Sequence, residues 1–121
     1  MTPDYAHDLI REACTKRPEL RFHRNISKED AQEIQLKPYQ GFCYIASKVF
    51  SHLIPEAELW TTDNRMHYWN VIDGVVWDLT KEQFDYDFIY DGHKVPRKPL
   101  SERAAELLLE VERINENRRT N

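Results

Sequence analysis

Cysteine is scarce in this chain: Cys14 and Cys43 are the only two among 121 residues. Two thiols cannot build the disulfide framework that holds a small secreted domain together. The polar start Met1-Thr2-Pro3-Asp4-Tyr5 reads as a helix beginning rather than a secretory leader. Reduced thiols in a cytoplasmic setting are therefore expected. No apolar run reaches the ~20 residues that a membrane-spanning helix needs, so no membrane partner is expected. A basic excess is missing as well: 17 basic against 21 acidic side chains leave a formal net charge of −4. Phosphate backbones demand a concentrated basic face, and Arg118-Arg119 is too small a cluster to supply one. Nucleic acid is thus not an expected partner. Internal repeats and low-complexity segments are absent too, which argues against a solenoid or a tail.

What is present suffices for one domain spanning residues 1–121. Apolar residues make up 40% and aromatics 12%, enough to bury a single core without metal or disulfide support. Thr2 and Pro3 open a first helix with Tyr5, Leu9, Ile10 and Ala13 at helical spacing, and Pro18 ends it. Cys14 flanks that stripe and reads as structural. Arg21 to Asn25 is irregular or a short strand. Ser27 and Asp30 form a variant capping box for a short polar helix to Leu36, which Pro38 stops. From Cys43 the pattern is helical again, through Ile45, Val49, Phe50 and Leu53 to Pro55. Glu58 to Thr62 reads as a strand, and Asp63-Asn64-Arg65 as a turn. Asp85 to Pro99 has no clear period and reads as a long loop with room for one short strand. Ser101 caps a last helix whose Leu100, Ala104, Leu107, Val111 and Ile114 form a packing stripe. That stripe serves the chain's own core, or a weak dimer. Helices first, then strands, then a helix gives an α+β fold.

The segment from His67 to Thr80 carries the sharpest signal. Asp73-Gly74 between Val71-Ile72 and Val75-Val76 is a two-residue hairpin turn. Such a turn pairs Ile72 with Val75, Val71 with Val76 and Asn70 with Trp77. Side chains alternate between faces, so His67, Trp69, Val71, Val76, Asp78 and Thr80 share one face. Tyr68, Asn70, Ile72, Val75, Trp77 and Leu79 share the other. His67 and Asp78 become diagonal neighbours, about 7–8 Å apart in the backbone and within reach of a side-chain hydrogen bond. Asp73 is explained by the turn alone.

A thiol at a helix start, followed by an imidazole and a carboxylate on adjacent strands, is a nucleophile–base–orienter set. Cys43 would attack as a thiolate, favoured by the positive end of its helix. His67 would take and return the proton, and Asp78 would orient the ring. The backbone N–H of Cys43 and the Gln40 side chain are candidate donors to an oxyanion. Trp69 shares the His67 face and is a candidate wall of the substrate site. Plainer readings exist for each: Cys43 as a small core residue, His67 as a strand-end histidine, Asp78 as a cap for the next turn. His52, His67, His93 and Cys43 have no recognised metal-ligand spacing, and no cofactor is expected.

Gly41-Phe42-Cys43, His67-Tyr68-Trp69-Asn70, Asp73-Gly74, Trp77-Asp78-Leu79-Thr80 and Gln83-Phe84 resemble the YunG-like proteins of bacteria and phages. They are more distantly similar to the papain-like and transglutaminase-like superfamily. Phe42 stands where the YunG-like pattern has a Gln directly before the Cys. The resemblance implies a papain-like core with Cys43, His67 and Asp78 at its three catalytic positions. Two functions follow as expectations. The first is a thiol-dependent hydrolase or acyltransferase acting on an amide or ester of a protein or peptide. The second is an inactive protein-binding module of the same fold.

Overall fold

The computed structural model describes residues 1–22, 27–34 and 39–120. These residues form an α+β fold, with four α-helices and one small antiparallel sheet among them. The helices are α1 (Pro3–Lys16), α2 (Lys28–Glu33), α3 (Cys43–Leu53) and α4 (Glu102–Thr120). The strands are β1 (Glu58–Thr61), β2 (Tyr68–Ile72), β3 (Val75–Trp77) and β4 (His93–Val95). They lie in the order β3-β2-β1-β4.

Each helix begins where a short polar side chain or a tight turn allows it. Thr2 Oγ1 accepts from the Tyr5 N–H at 3.2 Å, Ser27 Oγ from Asp30 at 3.0 Å, and Ser101 Oγ from Ala104 at 3.2 Å. These bonds satisfy donors that a helix start leaves orphaned. The segment anticipated as irregular or strand is a 3-10 turn over Pro18–Arg21 as far as it is described. His23, Arg24 and Asn25 lie outside the described residues, as do Gln35, Leu36 and Pro38.

The helices α1, α3 and α4 share one core, with Leu9, Ile10, Ile45, Val49, Leu107 and Val111 at its centre. The stripe on α4 is spent there: Ala104, Leu107, Val111 and Ile114 are buried within the chain. Cys14 is buried in the same cluster. From Ile45 to Ser51 every residue of α3 is buried, so this helix is enclosed on all sides.

The hairpin register is the one the two-residue turn dictates: Asn70 pairs with Trp77, Val71 with Val76 and Ile72 with Val75. Asp73 (φ 50°) and Gly74 (φ 79°) both adopt left-handed backbone, as such a turn requires. One face of the hairpin meets α3. Tyr68 lies against Tyr44 with ring centroids 4.8 Å apart, and Trp77 stacks on Phe50 at 5.7 Å. Between them Asn70 Nδ2 donates to Ser47 O (3.0 Å), Ser51 Oγ (3.0 Å) and Glu58 O (3.2 Å). The long irregular stretch contains β4, which pairs with β1 through Leu59–Val95 and Thr61–His93. Its earlier half covers the other face of the hairpin, where Phe88 and Tyr90 pack on Trp69.

Asn70 is the polar rivet between sheet and helix. Asn70→Ala should destabilise the fold by about 2 kcal/mol, because buried acceptors lose their donor. The midpoint of urea unfolding, with an unchanged slope, is the readout.

Candidate functional site

Cys43 is the first helical residue of α3. The backbone winds tightly into it, with left-handed φ at Tyr39 (62°) and Gly41 (88°). A Cβ on Gly41 would lie 3.2 Å from the Cβ and carbonyl oxygen of Arg21, so glycine permits this close approach. Phe42, at the position before Cys43, is fully buried and gives the helix no side-chain cap. Cys43 itself is half-buried, whereas Cys14 is sealed.

His67 and Asp78 meet as the register requires. His67 Nε2 lies 2.7 Å from Asp78 Oδ2, and both side chains are almost wholly buried, at 1% and 2% exposure. Asp78 Oδ2 also accepts from Tyr90 Oη at 2.8 Å, and Oδ1 accepts from the Thr80 N–H at 3.1 Å and Thr80 Oγ1 at 3.4 Å. A carboxylate offers about four acceptor sites, and these four donors fill them. Asp78 thus both holds the imidazole and caps the turn that follows. Burial, reinforced by the bond to Asp78, pushes the Tyr90 phenol up, which keeps Tyr90 a donor.

Facing a carboxylate, Nε2 carries the ring proton, and Nδ1 is left for other partners. Gln83 Nε2 lies 3.3 Å from Nδ1 and donates to Thr80 Oγ1 at 2.9 Å. Burial alone would lower the His67 pKa. Hydrogen bonds with Asp78 and then Cys43, together with the charges of both, outweigh it and raise the pKa to about 9. The carboxylate of Asp78 and the thiol of Cys43 thus both favour the protonated ring.

Aromatic rings close the rest of the ring's surroundings. Phe84 and Phe88 each lie 4.8 Å from His67, edge to face, and stack on each other at 4.7 Å. Trp69 stacks on the imidazole at 6.0 Å and is only 1% exposed. It backs the imidazole from inside the fold, a different position from an exposed wall. Gln40 sits exposed in the turn before α3. Arg11 Nη2 donates to Glu82 Oε1 at 2.6 Å and so ties the turn carrying Gln83 to α1.

Tyr90 and Phe88 were not legible in the sequence as site residues, and Gln83 carried no assigned role there. One signal was available: aromatics alternate at 84, 86, 88 and 90, a period that fits extended chain laid across a surface. Among the described residues no cluster of His, Cys, Asp and Glu could hold a metal ion, and no helix is long and apolar enough to cross a membrane.

The family model described as YunG protein matches residues 22–117, and the chain belongs to that family. Neither a curated protein nor a solved structure matches it.

The raised His67 pKa makes stability depend on pH. The protonated ring is favoured in the fold, so its contribution is complete below the ordinary value of 6.5 and is lost as pH rises through about 9. Urea unfolding should show stability falling across that interval, by a few kcal/mol at ~1.4 kcal/mol per pH unit. Asp78→Asn should flatten the profile.

Proposed function

We propose that this member of the YunG family is a thiol-dependent hydrolase or acyltransferase, acting on an amide or ester through Cys43, His67 and Asp78. The observation that carries the reading is the buried imidazole–carboxylate pair, whose protonated form is also favoured by the half-buried thiol at a helix start. A buried ion pair is a poor device for stability, whereas an oriented, protonatable imidazole is what a thiol nucleophile needs. A cysteine-bearing helix against an antiparallel sheet, with His67 and Asp78 just beyond the ends of neighbouring strands, supports a papain-like or transglutaminase-like core.

In the proposed reaction the thiol proton of Cys43 resides on His67 as imidazolium, and the sulfur attacks as thiolate. The sulfur lone pair forms a bond to the carbonyl carbon, and the carbonyl π pair moves to oxygen. The uncapped first turn of α3 offers the Cys43 backbone N–H to that oxygen, with Gln40 as a second candidate donor. As the oxygen pair returns, the C–N or C–O bond breaks and His67 delivers its proton to the leaving amine or alcohol. Water or an acceptor amine then repeats the sequence on the thioester. Throughout, Asp78 stabilises the imidazolium without taking its proton.

A binding module is the second reading. The 1% exposure of His67 favours it, because the aromatic cover leaves the ring reachable chiefly from the thiol side. Thiol reactivity separates the two. In a Cys14→Ser background, Cys43 should react with iodoacetamide at mildly acidic pH faster than glutathione does. His67→Ala should lower that rate by about a hundredfold. Intact-mass spectrometry follows the reaction, and a slow rate indifferent to His67→Ala would leave only the binding module.

A further inference from the structure

Beside Cys43 lies an open cleft of about 560 Å³, walled by the start of α3, the strands β1 and β2, and the segment from β4 to α4. Its charges are one-sided. Arg21, Lys48, Arg65, Lys98 and Arg103 all line it, and none of its described lining residues is acidic. This is unexpected in a chain whose acids outnumber its bases by 21 to 17. Elsewhere several cations are matched: Arg11 pairs with Glu82, Arg17 with Glu19, Lys94 with Glu58 and Arg118 with Asp8. Arg21, Lys48, Arg65 and Lys98 form no ion pair with a described acid.

Three of these cations are held in place. Lys48 is only 8% exposed, and its Nζ donates to Pro99 O at 2.9 Å. The Arg21 guanidinium lies 5.0 Å from the centre of the Phe42 ring, and its buried Nε has no hydrogen-bond partner among the described residues. Arg103 donates through Nε to Leu20 O at 2.9 Å, and its partial burial lowers its pKa. Partly buried cations cost desolvation energy unless an anion compensates. Cations of one sign in a low-dielectric cleft also focus field and concentrate anions. The rest of the surface is net acidic and would repel a long polyanion, and Tyr44, Tyr68 and Leu59 give the cleft a partly apolar lining. A short acidic segment of polypeptide fits these features better than nucleic acid.

We propose that the cleft beside Cys43 takes an acidic peptide, placing carboxylates on the Arg21–Lys48–Arg65–Lys98–Arg103 cluster and the intervening amide at the thiol. The inference deepens the reading of Cys43 as nucleophile and rests on it for the fate of the amide. Its test is a binding measurement that does not need catalysis.

The full chain carrying Cys43→Ala is titrated against rhodamine-labelled Glu-Gly-Gln-Gly-Glu amide and its Lys-Gly-Gln-Gly-Lys counterpart, read by fluorescence anisotropy. The acidic peptide should bind at least roughly tenfold more tightly, and the difference should shrink with salt. Lys98→Glu and Arg65→Glu are exposed changes that leave the core intact, and together they should abolish the preference. Equal binding of the two peptides, or a preference indifferent to the charge reversals, would overturn the proposal. So would displacement by inorganic phosphate at concentrations where free glutamate has no effect. The two readings fail separately. An inert thiol beside a cleft that selects the acidic peptide removes catalysis and keeps the cleft. A His67-dependent thiol beside a cleft without charge preference does the reverse.

Discussion

The reversal at Asp73-Gly74 is the constraint on which the site depends. Two left-handed residues in succession permit only a two-residue loop, and that loop fixes which side chains of β2 and β3 stand together. A slip of one residue would send Asn70 away from α3 and His67 away from Asp78 at the same time. Packing and chemistry are thus set by one event. The face that carries Tyr68, Asn70 and Trp77 fastens the sheet to the helices, and the face that carries His67, Trp69 and Asp78 assembles the polar centre.

That centre is expensive to build. An imidazole and a carboxylate are taken almost wholly out of water, and the pair is worth keeping only when every acceptor site is filled. The fold fills them from several places: Thr80 just beyond the hairpin, Tyr90 from the covering segment and His67 itself. Gln83 sits over the remaining ring nitrogen. The aromatic cover then lowers the local dielectric and strengthens each of these bonds. The same cover confines the approach to His67 to the side of α3, where Cys43 stands at the edge of the cationic cleft.

Local signals in the sequence predicted much of this architecture. Thr2, Ser27 and Ser101 mark helix starts because capping is decided within three or four residues. The hairpin was legible because turn type and alternation together determine register, and the His67–Asp78 bond followed from counting pairs. What escaped was non-local. Strand β4 has three residues and no period of its own; it is a strand only because β1 offers an edge. Tyr90 and Phe88 reach the site by the path of a loop, which no spacing rule fixes. The cleft gathers cations from positions 21 to 103, so overall composition, acidic on balance, concealed it. Trp69 was placed on the correct face, but whether a face is covered depends on the segment laid over it.

The burial of Cys14 has a further consequence, for oxidation. Lack of solvent pushes that thiol far up, so it is neither a nucleophile nor an accessible partner for exchange. Cys43 is then the one thiol of the folded chain open to peroxide. A sulfenic acid formed there would find no accessible resolving cysteine among the described residues. It would have to be capped by a small thiol or by another protein, or else advance to the irreversible sulfinic acid.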